Sequence, residues 1–311
     1  MSLIVASILV LMFLNLVLGS VSIPLKSVWN IICGLGDEPV TWQNIVWKSR
    51  LPQALTALVE GAGLAISGLQ MQTVFRNPLA GPSVLGISSG ASMGVAFVVL
   101  LSGSLGGVAL SKLGFMGEIA LSIAAVIGSL SVMALIVYVP QKGKGNVTLL
   151  IIGVMIGYVA NAVIGVLKFF SVEEDIRAYV IWGLGSFSRV SGNQMMLFVA
   201  IMAILIPLSF LLIKTLNLML LGDGYARNLG LNIKRARLLV ITSAGVLTAI
   251  VTAYCGPVIF LGLAVPHLCR AIFQTSDHRV LMPAVLFAGA ALALVCNLIA
   301  RSAMYQVEHR Q

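Results

Sequence analysis

Charged side chains are scarce in this sequence. They make up 9% of its 311 residues, and only 10 residues are acidic, whereas 59% are hydrophobic and the mean hydropathy is +1.05. Soluble domains average roughly 25% charged and about 45–50% apolar residues, so the composition excludes an ordinary soluble protein. It indicates an all-α polytopic membrane protein whose outer surface contacts membrane lipid.

Motifs that would carry enzyme or metal chemistry are also missing. The four cysteines, at 33, 255, 269 and 296, have no C-x-x-C spacing, which favours packing over metal or redox roles. There is no G-x-x-x-x-G-K-[ST] loop for a nucleotide phosphate and no H-E-x-x-H for zinc. The G-L-G-D of residues 34–37 resembles the motif of intramembrane aspartyl proteases, but no second aspartate lies in an apolar run. We therefore expect neither an enzyme nor a cofactor.

The net charge of +9 does not indicate a nucleic-acid partner. The cations lie in short segments between apolar runs, without the interleaving of aromatic and basic residues that is typical of RNA-binding proteins. We expect them to set membrane orientation instead.

Long apolar runs dominate the chain. The first is interpreted as a span, since no basic n-region precedes it and no A-x-A cleavage site follows. Residues 1–311 are thus expected to form a single transmembrane domain with about nine helices. The nine runs cover residues 3–19, 53–74, 84–103, 116–139, 148–168, 192–213, 238–255, 258–273 and 280–300.

Residues 214–237, here called the coupling segment, form the largest basic island, with five of the 19 Lys and Arg. Asp223 is predicted to be an N-cap, Tyr225 to Leu229 a short helical turn, and Gly230 its left-handed end. If this segment is cytoplasmic, so are residues 76–82, 140–147 and 274–279, which gives ten cations inside and eight outside. We interpret the segment as a short, rigid, exposed helix pair at the membrane surface, and an ordinary cytoplasmic loop that follows the positive-inside rule is the alternative interpretation.

Three features inside the runs predict helix contacts or a cavity. Gly86, Gly90 and Gly94 recur at four-residue spacing, as do Gly153 and Gly157, with Gly165 further on, which predicts small faces for close helix packing. Glu60 is the one acid well inside a run, so it must face protein or water, as a cavity-lining or a structural group. His267 and His278 lie near the proposed cytoplasmic face, where hydrogen bonding at helix ends is expected.

The chain resembles the permease subunits of type II ABC importers, which move iron-siderophore complexes, haem and vitamin B12. Three blocks carry the resemblance: Arg50-Leu-Pro with GAGLAISGLQMQTVFRNPLAGPSVLGISSGAS at 61–92, LLGDGYARNLGL at 220–231, and GPVIFLGLAVPHLCRAIFQTSDHRVLMP at 256–283. The similarity covers nearly the whole chain, up to about Arg301.

The resemblance implies a bacterial inner-membrane homodimer of ten-helix subunits, docked on a cytosolic ABC ATPase dimer and loaded by a periplasmic substrate-binding protein. The fifth span, about 148–168, would line the pathway. Arg50 and Arg301 would meet acidic residues of the binding protein, whereas a further family arginine is replaced by Gln53. The ATPase-coupling residues would be Leu221, Gly222, Asp223, Tyr225, Ala226, Arg227, Leu229 and Gly230. A cytoplasmic motif would comprise Asn77, Pro78, Pro266, His267 and Arg270.

Two departures from the family pattern concern the ends of the chain. It begins almost directly in the first span, and at Gln311 it stops where the family continues into a tenth span. From this we expect a truncated or differently ended product that does not transport. The competing function is an ATPase-independent secondary transporter or channel, but such proteins normally carry paired ionisable residues in their spans and only Glu60 qualifies here.

Overall fold

The fold is all-helical. The computed structural model describes residues 2–104, 115–138, 146–190 and 192–308, and no strand occurs among them. The α-helices in this part of the chain are α1 (Ser2–Val17), α2 (Leu25–Cys33), α3 (Val40–Ile45), α4 (Leu51–Phe75), α5 (Ile87–Ser104), α6 (Phe115–Tyr138), α7 (Asn146–Phe169), α8 (Glu173–Gly183), α9 (Gly192–Phe210), α10 (Ile213–Leu220), α11 (Asp223–Asn228), α12 (Ile233–Cys255), α13 (Leu261–Phe273) and α14 (His278–Glu308).

Each predicted apolar run coincides with a helix of this set. Among the described residues, five helices are long and apolar enough to cross a membrane, and the pair α9 and α10, bent by 45°, would make a sixth span. Three shorter apolar helices, α1, α5 and α13, account for the remaining runs. The predicted connection at 140–147 lies mostly outside the described residues.

Helix α4 is the centre of the fold. In its most apolar window 83% of the residues are buried, and α14, α12, α13 and α9 pack around it. Its neighbours approach closely because glycines face each other. A Cβ on Gly61 would meet the carbonyl oxygen of Gly289 in α14, and one on Gly68 would meet the carbonyl oxygen of Gly262 in α13. Small residues permit this backbone contact between membrane helices.

Polar side chains also join the central helices. Asn15 of α1 donates to the carbonyl oxygen of Leu294 at 3.2 Å and accepts from Asn297 at 2.8 Å, both in α14. Ser67 of α4 bonds the hydroxyl of Thr248 in α12 at 2.8 Å. Every one of these polar groups is buried, so the bonds satisfy groups that would otherwise be costly to remove from water.

A second group of helices, α5, α6 and α7, packs through other glycines. A Cβ on Gly90 would lie 2.6 Å from the carbonyl oxygen of Gly128 in α6, and one on Gly94 would meet the carbonyl oxygen of Ala124. Gly86, however, does not share their helix face. It ends a 3₁₀ turn before α5 with a φ of +73°, and the expectation of one three-glycine face is therefore wrong.

The glycines of α7 contact the chain segment that leads into α5. A Cβ on Gly153 would lie 2.7 Å from the Cα of Leu85, and one on Gly157 would lie 3.4 Å from the Oγ of Ser89. A Cβ on Gly165 would meet no atom of the described residues within 4 Å. The prediction that Gly165 packs closely against another helix is thus wrong for the described residues of this chain.

Replacing Gly68 by alanine tests the backbone contact of α4. We expect Gly68→Ala to lower the free energy of unfolding by about 1–3 kcal/mol, because the added methyl group overpacks a site filled by backbone atoms. Gly165→Ala is the matched control, since it adds the same atom where the described residues leave space. That control should be neutral or stabilising, by up to about 1 kcal/mol from helix propensity. Thermal unfolding in detergent measures both, and equal effects would contradict the role of Gly68.

Candidate functional site

The coupling segment forms an exposed surface at one end of the helix bundle. Helix α10 leads into α11, and the apolar side chains of Leu221, Tyr225 and Leu229 are exposed, Tyr225 by 73% and Leu229 by 60%. Arg227, Lys234 and Arg235 are exposed beside them. An apolar patch with a basic border is typical of a protein-binding surface.

Asp223 holds this surface to the bundle, but not as an N-cap. The N-cap of α11 is Gly222, with a φ of +100°, and Asp223 is the first helical residue, so the predicted capping role is wrong. The Asp223 carboxylate pairs with Arg76, at the end of α4, at 2.7 Å and with Arg237 of α12 at 3.3 Å. The left-handed conformation predicted for Gly230 is confirmed by its φ of +87°. We call this end of the molecule the Asp223 end.

Ala226 differs from the other residues of the coupling set. Its side chain is 0% exposed, because α11 turns this position toward α12 and the bundle. The expectation that Ala226 itself contacts a partner is therefore corrected: it fixes how α11 sits on the bundle, while its neighbours on the helix face outward.

A chain of hydrogen bonds, exposed at Asp277 and buried at Thr73, joins the coupling segment to α4. Thr73 of α4 bonds the Nε2 of His278 at 2.8 Å, and the Nδ1 of His278 lies 2.8 Å from the Oδ1 of Asn217 in α10. Asn217 in turn donates to Asp277 at 2.6 Å. His278 therefore bonds at a helix end, as predicted, whereas Thr73 and Asn217 were not anticipated. The only sequence signal for Asn217 is an amide between two leucines of α10.

Asp277 begins α14. Its carboxylate accepts from the backbone N–H of Arg279 at 2.9 Å, as an N-cap does. This bond, followed by the one from Asn217, holds the pKa of the exposed Asp277 carboxyl below its usual value. Asp277 is thus ionised at neutral pH and keeps the Asn217 amide oriented with its NH₂ group toward it.

The expected cytoplasmic motif is divided between a turn and a helix. Asn77 accepts from the backbone N–H of Leu79 at 2.9 Å, an Asx-type bond that with Pro78 turns the chain after α4. In α13, Arg270 donates to Gln72 of α4, which itself donates to the carbonyl oxygen of Leu263 at 3.1 Å. In the same helix, Pro266 is buried and His267 is exposed.

Arg50 lies at the opposite end of α4, and its side chain does not face outward. It is 1% exposed, and its guanidinium donates to the carbonyl oxygens of Leu16 at 2.8 Å and Val17 at 2.7 Å, and to that of Val21. The half-buried Arg301 donates to the carbonyl oxygen of Asn15 at 2.9 Å. The expected docking role of Arg50 is corrected, because its guanidinium donates to carbonyl oxygens of this chain and does not face a partner.

Together these arginines satisfy the end of α1. The last carbonyl groups of a helix have no partner within it, and Leu14 is the one of these four that bonds a backbone N–H, that of Leu18. The two guanidinium groups bond the other three and oppose the negative end of the helix dipole. A Cβ on Gly19 would lie 2.6 Å from Arg301 Nη2, so glycine makes room for them.

Glu60 is fully buried in α4. Neither carboxylate oxygen meets a nitrogen or oxygen partner among the described residues, and the thiol of Cys255 is the polar group beside it. Glu60 is thus enclosed by protein, as expected for an acid inside a span.

A cavity of about 470 Å³, lined by apolar and uncharged polar residues, lies between the start of α5, α7, α8 and the loop before α13. No charged residue lines it in the described part of the chain. Its polar lining groups are mainly hydroxyls and one amide, from Ser83, Ser88, Ser89, Ser92, Tyr158, Tyr179 and Asn161. Tyr158 and Asn161 are exposed on α7, the helix expected to line the pathway, and only 22% of that helix's most apolar window is buried.

Comparisons with known proteins identify a transport family and two similar permeases. Residues 7–310 match the FecCD transport family. The chain is 33% identical over 293 residues, 94% of this chain and 84% of the relative, to the hemin transport system permease protein HmuU of Yersinia pestis. It is 35% identical over 266 residues, 86% of this chain and 77% of the relative, to the vitamin B12 import system permease protein BtuC of Klebsiella pneumoniae.

A solved structure is similar over nearly the same extent. It is a metal-chelate type ABC transporter in an inward-facing conformation, with a TM-score of 0.82 and 27% sequence identity. The similarity covers 96% of this chain and 89% of that one.

Replacing Arg50 distinguishes helix capping from docking. We expect Arg50→Met to lower the free energy of unfolding by about 2 kcal/mol, because buried carbonyl groups at the end of α1 lose their donors. The matched control is Arg177→Met, which removes an exposed arginine of α8 and should leave stability unchanged. Thermal unfolding in detergent is the measurement. Normal stability combined with a salt-sensitive loss of binding-protein capture would restore the docking interpretation.

Proposed function

Because the chain belongs to the FecCD transport family, as the permease subunit of an ABC importer of the bacterial inner membrane, we propose that its cargo is a metal chelate in a large organic framework. ATP hydrolysis takes place on separate ATPase subunits. A substrate-binding protein and a second permease copy complete the importer.

The chemistry of the cavity lining supports this cargo class. A small anion or cation crossing a membrane needs charges of opposite sign or a dense set of carbonyl groups along its path. The cavity offers neutral hydroxyl groups and one amide instead. A chelate, whose metal charge is enclosed by its ligand, needs only weak polar contacts to pass such a wall. The relatives named for hemin and for vitamin B12, and the metal-chelate type transporter, point to the same class.

The position of the cavity supports a pathway between two copies. Asn161 and Tyr158 lie on an exposed face of α7 in the middle of an apolar helix. Polar groups in a span normally face protein or a water-filled cavity, because exposure to lipid is costly. A second copy facing α7 would enclose these groups in a common aqueous pathway.

Uptake by the reconstituted importer tests the cargo. The chain, its ATPase and its binding protein are placed in proteoliposomes, and ferric siderophore, hemin, cobalamin and molybdate are offered separately. The match of residues 7–310 to the family predicts ATP-dependent uptake of one of the three chelates and none of molybdate, whereas the sequence expectation of a chain that does not transport predicts uptake of none of the four. Uptake of molybdate alone would overturn the proposed class, and uptake that continues without ATP would favour a secondary transporter.

We further infer that the coupling segment docks on the ATPase. Leu221, Tyr225 and Leu229 expose apolar surface that is not packed against the bundle. The side chains of Arg227, Lys234 and Arg235 border this surface. Burial in a partner's cleft would remove that surface from water, while the basic border would orient the partner. The Asp223 end would then face the cytosol.

Replacing Leu229 by aspartate tests this docking. We expect Leu229→Asp to weaken ATPase binding by at least about tenfold, since it places a charge in a desolvated contact. Leu35→Asp is the matched control, because Leu35 is a similarly exposed leucine near the opposite end of the molecule. Affinity is measured by titrating the labelled ATPase into the permease in nanodiscs. Equal affinity for the two variants would move the docking surface elsewhere, with residues 274–279 as the next candidate.

A further inference from the structure

Two polar connections run from the coupling segment to α4. One is the group around Arg76, which pairs with Asp223 and donates to the carbonyl oxygen of Met219 at 3.2 Å, and the other is the hydrogen-bonded chain from Asn217 through His278 to Thr73. The Asp223 and Arg76 side chains are nearly half exposed, at 45% and 44%. Exposed ion pairs of this kind contribute little and are screened by salt. The second connection ends in the buried bond between His278 and Thr73, for which water does not compete.

The hydrogen-bond donors in the second connection can be assigned. Asn217 donates its NH₂ group to the Asp277 carboxylate at 2.6 Å, so its Oδ1 is the atom that faces His278. That oxygen accepts from the backbone N–H of His278 at 2.9 Å and lies 2.8 Å from the ring Nδ1, which must therefore carry a proton. A neutral His278 then leaves Nε2 as an acceptor.

Thr73 completes the chain with a hydroxyl that has two acceptors. Its Oγ1 lies 2.8 Å from both the Nε2 of His278 and the carbonyl oxygen of Leu69 within α4. A hydroxyl has one proton, so with a neutral imidazole it donates to Nε2, and without that ring it donates back into α4. The position of the His278 ring thus decides whether the Thr73 hydroxyl donates to Nε2 or to the carbonyl oxygen of Leu69.

We propose that His278 is a positioning residue that transmits movement of the coupling segment to the central helix α4. This role rests on the proposed docking of the segment on the ATPase. His278 is 1% exposed and joins three helices, α10 through Asn217, α4 through Thr73, and α14, which it begins. A displacement of α10 therefore either carries α4 and α14 with it or breaks a buried hydrogen bond.

Variants that remove one link at a time test the proposal. Thr73→Val deletes the hydroxyl with little change in shape, and His278→Asn keeps an amide near the position of Nδ1 but no longer reaches Thr73. Thr73→Ser, which retains the hydroxyl, is the rescue variant. Thr248→Val is the matched control, since Thr248 is a buried threonine with the same pair of bonds, to the carbonyl oxygen four residues earlier and to a side chain of a neighbouring helix.

Each variant is purified as folded permease and reconstituted with the ATPase and the binding protein. The measurements are the affinity for the ATPase, the stimulation of ATP hydrolysis by loaded binding protein, and uptake. We expect Thr73→Val and His278→Asn to bind the ATPase like the parent but to lose about tenfold in stimulation and uptake, a typical size for a coupling between sites. Their double variant should be no worse than either single one, because both break the same connection.

The outcomes separate the two proposals. Unchanged stimulation in Thr73→Val, an equal loss in Thr248→Val, or a double variant that multiplies the single losses would each overturn the role of His278. Failure of Thr73→Ser to restore coupling would do the same. ATPase affinity reports on docking alone, so a Leu229→Asp variant that binds normally refutes the docking surface, whereas normal binding with lost stimulation in Thr73→Val reports on the connection through His278. If His278→Asn does not fold, the nearly isosteric Thr73→Val still decides.

Discussion

Backbone contact between helices is the constraint on which this structure depends. α14 and α13 can approach α4 this closely only because Gly61 and Gly68 carry no side chain where Gly289 and Gly262 lie. At this separation each neighbour is fixed along and around α4, since carbonyl groups and small residues interlock more rigidly than long side chains do. The two ends of α4 are fixed in the same way. Arg50 lies at one of them, and the Asp223 end of the molecule lies at the other.

Arginine side chains bond the carbonyl ends of two helices, α1 and α10. In a membrane an unpaired carbonyl or amide group cannot turn to water, so each helix terminus needs donors or acceptors from elsewhere in the chain. Arg50 and Arg301 supply donors to α1, and Arg76 donates to the carbonyl oxygen of Met219 at the end of α10 at 3.2 Å. Arginine serves both positions because its planar group reaches several carbonyls at once. Several of the few charged residues in this chain are thus structural.

The helices could be predicted from the sequence, while the partners of single side chains could not. Hydropathy marks spans reliably because lipid demands long apolar helices, and the runs at 53–74 and 148–168 correspond to α4 and α7 within a few residues. The docking role of Arg50 followed from motif similarity, which shows a residue type and a location but not which way a side chain turns. The same limit explains Ala226, whose burial depends on how α11 rests on α12.

Spacing also failed where the backbone leaves the helix. Gly86 matches the four-residue repeat of Gly90 and Gly94, yet it lies in a left-handed turn that no periodicity indicates. The glycines that matter most, Gly61 and Gly68, are seven residues apart and stand among other small residues, so they carried no distinctive pattern. Their importance lies in the opposing glycines of distant helices, which only the tertiary structure pairs.

The bend between α9 and α10 makes the second helix a lever. Its eight residues span about 12 Å, and its fulcrum is the break after Phe210, where the axis turns by 45°. Asn217 lies near the middle of this arm, so a tilt of roughly 10° about the fulcrum moves it by about 1 Å. A hydrogen bond of 2.8 Å cannot stretch that far and persist. Such a lever converts a gradual rotation at the surface into an all-or-none event in the interior.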